Sequence, residues 1–382
     1  MPFWKNANRT GPTPEPGDPM SDDVLCEIHN GVAFLTLNRP SALNALTFEM
    51  IGELHSRLRA CALDPQIHAV LIRGQGDKAF CAGGDIRALY QSLTESGSLH
   101  RQFFIAEYSL DFALYSYSKP CLALMDGITM GGGMGLAQGA GLRIVGDRTR
   151  IAMPEVAIGI FPDVGASYFL SRLPGSLGPY LALTGTQIRG ADALYCQLAD
   201  VYLPAPAIAS LEKSLDGLKW SADPRSDLVR LIRAESAQGL AAPSLSVLRP
   251  AIDAHFSHPS ISEIVASLER ESRPEYSDWA QQTLKLLHAR SPTMLAVTLR
   301  QLQRGKTMAL ADCFRMELGM VQQCFVHGDF VEGTRALIID KDNAPHWKPG
   351  RIQDVTEQMI EPFFKERWPA RAHPLANLET QL

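Results

Sequence analysis

Two carboxylates stand alone in an apolar run. The stretch Ala152-Met153-Pro154-Glu155-Val156-Ala157-Ile158-Gly159-Ile160-Phe161-Pro162-Asp163-Val164-Gly165 carries Glu155 and Asp163 as its only charged residues. Carboxylates seldom leave water without a partner or a task. One held in an apolar pocket has a raised pKa, which suits a general base near neutral pH. The bland alternative puts both on exposed turns beside Pro154 and Pro162. Upstream, Ala79-Phe80-Cys81-Ala82-Gly83-Gly84-Asp85-Ile86 follows a buried strand and opens a helix. Gly83-Gly84 lets a backbone N–H come against a ligand with no Cβ in the way, although alone the segment is first of all a tight strand-to-helix turn. Met130-Gly131-Gly132-Gly133-Met134-Gly135 places glycines at a helix start, each at an intrinsic cost of about 1 kcal/mol against alanine. A helix N-terminus offers unpaired N–H donors and the positive end of the dipole. A carbonyl oxygen seated on them would be in an oxyanion hole; close helix packing explains the same glycines equally well. No Gly-Lys-Ser/Thr follows, so this is no Walker loop, and the absence of a GxSxG elbow argues against a serine hydrolase. His255 and His258 lack an accompanying carboxylate motif and the other histidines are scattered, so no metal site is expected.

These segments need elements to hold them. Val24–His29 and Val32–Leu37 are strand-like runs joined at Asn30-Gly31, a strong hairpin signal. Thr47 can cap a helix to about Leu63, with Phe48, Ile51, Leu54 and Leu58 at helical spacing. Ala69–Ile72 reads as a buried strand ended by Gly74-Gln75-Gly76-Asp77, a helix follows Gly84, and a longer one spans about His100–Tyr117. Pro120–Met125 is another strand, Gly131 opens the next helix, and Arg143–Val145 and Ile151–Met153 are shorter strands. Strands alternating with helices predict an α/β core. Beyond about Leu211 the sequence is helical, with no strand expected before Ala336–Ile339, and Ser291-Pro292 is a good helix start. The expected organisation is a leader over residues 1–20, a core over 21–210, a mainly helical region over 211–350 and a tail over 351–382. The leader holds Pro2, Pro12, Pro14, Pro16 and Pro19 and reads as disordered, with Met20 an alternative start.

Composition narrows the partners. Of 382 residues 46% are hydrophobic and 20% charged, which allows a sizeable core. With 41 acidic and 36 basic residues the net charge is -5, and no clustered basic face points to nucleic acid. No apolar run approaches the ~18–20 residues of a membrane span. Seven cysteines without a CxxC pair suggest reduced thiols, hence a cytoplasmic location.

Taken together, the order FCAGGDI, GGGMG, PE and FPDVG resembles the crotonase (enoyl-CoA hydratase/isomerase) superfamily, as does Asn38-Arg39-Pro40 continuing to Leu43-Asn44-Ala45-Leu46. The resemblance implies an α/β fold with a crotonase-like spiral core of repeated ββα units followed by a C-terminal helical region. It implies that the N–H groups of Gly84 and Gly132 bind a thioester oxygen, and that Ala42, Gly84, Asp85 and Ile86 lie along coenzyme A. Coenzyme A would be part of the substrate, with no separate cofactor. Hydratases of this superfamily use two glutamates, one just after the glycine turn, where this chain has Gly135. The members with glycine there and aspartate in FPDVG are the 3-hydroxyisobutyryl-CoA hydrolases. The Phe103–Tyr108 helix segment, Asp126–Gly133, and Gly328–Asp342 continuing through Pro345–Pro349 also resemble that group, whereas Ala166-Ser167 departs from its usual glycines. The implied reaction is hydrolysis of a short 3-hydroxyacyl-CoA, with a role in valine breakdown. Glu155 activates water or attacks the carbonyl itself, Asp163 orients that water or the substrate hydroxyl, and Glu107 holds the hydroxyl from the facing helix. Asp77, Lys78 and Arg87 are candidates to face the coenzyme phosphates. An enoyl-CoA hydratase or isomerase of the same fold, and a silent acyl-CoA-binding protein, are the competing expectations. Homo-oligomers occur among crotonase relatives and are open here.

Overall fold

The computed structural model describes residues 22–236 and 240–380. The expected leader and Met20 lie outside the described residues.

The chain starts with the hairpin that Asn30-Gly31 announces. Strands β1 (Val24–His29) and β2 (Val32–Leu37) pair antiparallel, and Asn30 and Gly31 both take positive φ, 47° and 75°, as a type I′ turn demands. Helix α1 (Phe48–Leu63) follows, its N-terminus capped by the Thr47 side chain. From here the chain repeats one device. A longer strand enters a large sheet, a short strand enters a small sheet, and helices return. The long strands are β3 (Ala69–Gly74), β5 (Cys121–Met125) and β7 (Leu142–Val145). Their short partners are β4 (Ala79–Cys81), β6 (Ile128–Met130) and β8 (Arg150–Ala152). Helices α2 (Ile86–Thr94) and α3 (Leu99–Tyr115) follow β4, and α4 (Gly132–Gly139) follows β6. After β8 come a single 3-10 turn at Glu155–Ala157, α5 (Ala166–Phe169), α6 (Leu177–Thr184), β9 (Ile188–Arg189), α7 (Gly190–Tyr195) and β10 (Val201–Tyr202). The large sheet runs β1-β2-β3-β5-β7-β10 and the small one β4-β6-β8-β9. Apart from the hairpin and the β8–β9 pair, neighbours are parallel. This is the expected spiral of ββα units.

Parallel strands in a sheet covered on both faces must be apolar on both, and β2 is buried at every position. Ala33, Leu35, Val70, Ile72 and Ala123 face the main core. Val32, Phe34, Leu71, Leu122 and Ile144 face α8 (Ala205–Asp216) and α9 (Pro224–Glu235) through Leu211, Leu215, Leu228 and Ile232. The remaining helices are α10 (Ser244–Phe256), α11 (Ile261–Glu269), α12 (Pro274–Ala289), α13 (Pro292–Gly305, capped by Ser291), α14 (Leu310–His327) and α15 (Asp329–Thr334). The strand expected at Ala336–Ile339 is instead a π-helical turn, Arg335–Ile339. Its apolar residues read as a strand, but α15 runs straight into them and the chain continues as helix. The short tail ends in brief helical turns. No helix among the described residues is long and apolar enough to cross a membrane.

Candidate active site

The two glycine turns meet at one cavity. Leu46 donates to Gly83 O (2.8 Å) and accepts from the Asp85 N–H (2.9 Å), bridging across Gly84 without engaging the Gly84 N–H. Gly132 is the first residue of α4, where an N–H has no acceptor within the helix. A side chain at position 83 would sit 3.4 Å from the Gly132 nitrogen, so the two turns lie against each other. Both glycines line a cavity of about 340 Å³, together with Ile86, Phe103, Phe104, Glu107, Glu155, Ile160 and Asp163. The structure therefore brings Gly84, Gly132, Glu107, Glu155 and Asp163 together from four separate segments.

Each carboxylate has its own carrier. Glu155 opens the 3-10 turn after β8 and is 7% exposed, and its Oε2 has no hydrogen-bond partner among the described residues. Burial, then the nearby Asp163 charge, push its carboxyl well above the ordinary glutamate range. Glu107 projects from α3 so close to the glycine turn that a Cβ at position 132 would collide with its Oε1. Burial, then Asp163 and Glu155, raise it well above the ordinary range too. Asp163 is lifted by burial to about 6, while the Tyr108 hydroxyl (2.6 Å from Oδ2) and a backbone N–H pull the other way.

The Asp163 turn is held from the C-terminal helices. Val164 sits at φ 53°, a strained place for a β-branched residue. Glu317 on α14 accepts from the N–H of Gly165 (2.8 Å) and of Ser167 (2.9 Å). Gln301 on α13 donates to Pro162 O and to the Ser167 hydroxyl. Burial pushes the Glu317 carboxyl up to about 8. Ser167, where the resembling group has glycine, thus serves as a tie between α5 and α13.

The coenzyme residues divide. Gly84 and Ile86 line the cavity, whereas Asp85 caps α2 and pairs with Arg39 at 3.2 Å, and Ala42 ends a short turn outside the lining. Lys78 and Asp77 line a second, polar cavity of about 250 Å³ with Pro40, Ser41 and Asn44. Arg87 donates to Ile338 O at 2.7 Å. Among the described residues no group of three His, Cys, Asp or Glu is placed to hold a metal. His255 instead contacts Ser267 and Glu271, each at 2.8 Å.

Several site residues were not assigned from sequence. Phe330, Leu337 and Ile338 complete the cavity wall from α15 and the π turn. The resemblance singles out their run, Gly328–Asp342, but no local signal places it on the cavity, because the other walls come from segments far upstream in the chain. Asp111, fully buried with neither oxygen paired among the described residues, lies one helical turn after Glu107 on α3. That i, i+4 spacing of two acids in the largely apolar stretch Phe103–Tyr115 is visible in the sequence, though no motif surrounds Asp111. A Cβ at Gly135 would stand 2.6 Å from Asp111 Oδ2 and 2.8 Å from the Val164 Cβ. The slot in which a second glutamate would start is therefore filled.

The family model described as enoyl-CoA hydratase/isomerase matches residues 32–364. The chain is 39% identical over 364 residues to the mitochondrial 3-hydroxyisobutyryl-CoA hydrolase of Gallus gallus, covering 94% of this chain and 91% of that one. It is 42% identical to the mitochondrial enzyme of that name from Danio rerio, covering 90% and 89%. Among solved structures, a carnitinyl-CoA dehydratase from Mycobacterium thermoresistibile superposes with a TM-score of 0.83 at 37% identity, over 91% of this chain and 98% of that one. An enoyl-CoA hydratase from Rhodobacter sphaeroides does so with 0.80 at 36%, over 90% and 97%. The cytoplasmic location expected from the cysteines is overturned by the mitochondrial relatives. All seven cysteines are free thiols, six of them buried, and reduced thiols do not distinguish one reducing compartment from another. With its motifs gathered on one cavity and both sheets in the spiral order, the chain belongs to the enoyl-CoA hydratase/isomerase family.

Proposed function

We propose that the protein hydrolyses 3-hydroxyisobutyryl-CoA, or a closely related short 3-hydroxyacyl-CoA, to the free acid and CoA. The observation that carries this reading is a buried glutamate with an unpaired oxygen, Glu155, on the same cavity as Gly84 and as Gly132 at the start of α4. The named hydrolases at 39% and 42% identity support it. The thioester oxygen accepts from the Gly84 and Gly132 N–H groups, which stabilise the charge that develops there. Glu155 either takes a proton from the attacking water or attacks the carbonyl itself to give an anhydride that water then opens. In both cases the carbon–sulfur bond breaks, and the departing thiolate takes up a proton as CoA. Glu107 and Asp163 face the acyl end and hold its hydroxyl. The coenzyme phosphates lie toward Lys78, and no cofactor beyond the substrate's own CoA takes part.

A hydratase reading gains from the names of the two solved relatives, but the filled slot at Gly135 leaves no room for a glutamate from α4. The test is continuous thiol release from short acyl-CoAs with and without a 3-hydroxyl, alongside hydration of crotonyl-CoA. Fast release from the 3-hydroxy thioesters, reduced about 10²–10⁴-fold in Glu155→Gln, is expected. Hydration without release would overturn the reading.

A further inference from the structure

Four carboxyls crowd the cavity and its back wall, and one is treated differently from the rest. Among the described residues Glu107 Oε1, Glu155 Oε2 and both oxygens of Asp111 are buried without a partner, whereas Asp163 Oδ2 accepts a hydroxyl hydrogen bond from Tyr108. Tyr108 follows Glu107 directly on α3, so the helix presents a carboxyl and a hydroxyl donor from consecutive residues. The tyrosine is wholly buried. Its ring lies 5.9 Å from Phe104 and 5.6 Å from Phe314, centroid to centroid. Packed rings fix the direction of the hydroxyl, and a hydrogen bond to a charged acceptor is among the stronger ones.

Among the described residues, every titratable group that faces Asp163 is an acid. Glu107, Tyr108 and Asp111 come from α3, Glu155 from the turn after β8, and Glu317 and Cys324 from α14. Hydrogen bonds, from Tyr108 and a backbone N–H, are thus what offsets a charge on Asp163.

We propose that Tyr108 is a positioning residue whose hydroxyl holds the Asp163 carboxylate in place, so that its second oxygen accepts the 3-hydroxyl of the acyl group and sets the preference for 3-hydroxyacyl thioesters. The proposal rests on the thioesterase reading above. Without the tyrosine hydroxyl, Asp163 loses both its aim and part of its charge stabilisation. It then takes up a proton at higher pH and turns from acceptor to donor.

Tyr108→Phe keeps the ring and removes the hydroxyl. Thiol release is measured from 3-hydroxyisobutyryl-CoA and isobutyryl-CoA between pH 5 and 9. For the variant, kcat/KM on the hydroxylated substrate should fall about 10- to 100-fold, the loss expected for one hydrogen bond to a charged group. The unhydroxylated substrate should change by less than about 3-fold, the acid limb should move up by about one pH unit, and Asp163→Asn should already lack the selectivity. Equal losses on both substrates, or an unmoved acid limb, overturn the proposal. A readout free of turnover separates this from failure of the thioesterase reading. The infrared carboxylate band that Asp163→Asn removes should titrate at higher pH in Tyr108→Phe, and an unmoved titration refutes the proposal whatever the protein hydrolyses.

Discussion

At the scale of single residues, Gly135 is more informative than its lack of a side chain suggests. In the sequence it says only that a second catalytic glutamate is missing. In the structure, the Asp111 carboxyl and Val164 close the space beside it. Gly135→Ala should therefore cost about 1–3 kcal/mol of stability, the usual penalty of overpacking, despite alanine's better helix propensity. Denaturant midpoints would register this, and a double-mutant cycle with Asp111→Ala should show coupling between the two positions. A neutral or stabilising Gly135→Ala would mean that α4 shifts freely and that the slot is open. The residues that do chemistry are legible because they break local pattern: acids in apolar runs, glycines at helix starts. Asp111 breaks the same pattern, but no motif surrounds it to draw the eye. Tyr108 breaks none, since a tyrosine on a buried helix looks like core until its hydroxyl is seen to reach Asp163.

Among elements, the helices after residue 205 act as braces for the core's reactive turns. Glu317 is the clearest case, accepting two backbone N–H groups around the strained Val164. Removing it leaves both donors buried and unpaired, which costs about 1–3 kcal/mol each. Glu317→Ala should accordingly lower the unfolding midpoint and reduce kcat, while Glu317→Gln, which keeps one acceptor, should lose less of both. Circular dichroism melts and thiol release on the same preparations would check the order, and equal behaviour of the two variants would remove the bracing role. The hairpin, α1 and the long strands are readable because each carries its own punctuation or periodicity. Of the three-residue strands of the small sheet, Arg150–Ala152 shows one residue out of place as the run Ile151–Met153, but Ala79–Cys81 and Ile128–Met130 are too short to show a period of two. They exist because the spiral aligns them, not because their sequence asks for a strand.

For the molecule as a whole, the buried acids set how stability follows pH. Asp163 at about 6 and Glu317 at about 8 are both raised by burial, and Glu107, Asp111 and Glu155 shift the same way. An acid with a raised pKa binds its proton more tightly in the folded state. Its contribution is fully present below the unfolded pKa of about 4 and is lost as pH rises through the folded one. Surface acids such as Glu332, held down to about 2 by Arg335, act in the opposite sense and weaken the fold below about pH 4.5. Stability should therefore peak in the mildly acidic range and decline from pH 5 to 8. Each buried acid loses about 1.4 kcal/mol for every pH unit that separates its unfolded from its folded titration midpoint. Denaturant titrations at pH 5, 6.5 and 8 would show the decline, and a rise across that interval would mean that the cavity acids are hydrated. The Arg87–Ile338 hydrogen bond ties the last-made wall of the cavity to one of its first-made helices. Translation is vectorial: a ribosome that has just released Asp163 has already delivered every reactive group of the cavity, yet Phe330, Leu337 and Ile338 are still unmade. A stalled or prematurely terminated chain thus lacks this wall, and the cavity for a thioester is complete only once Ile338 has been added.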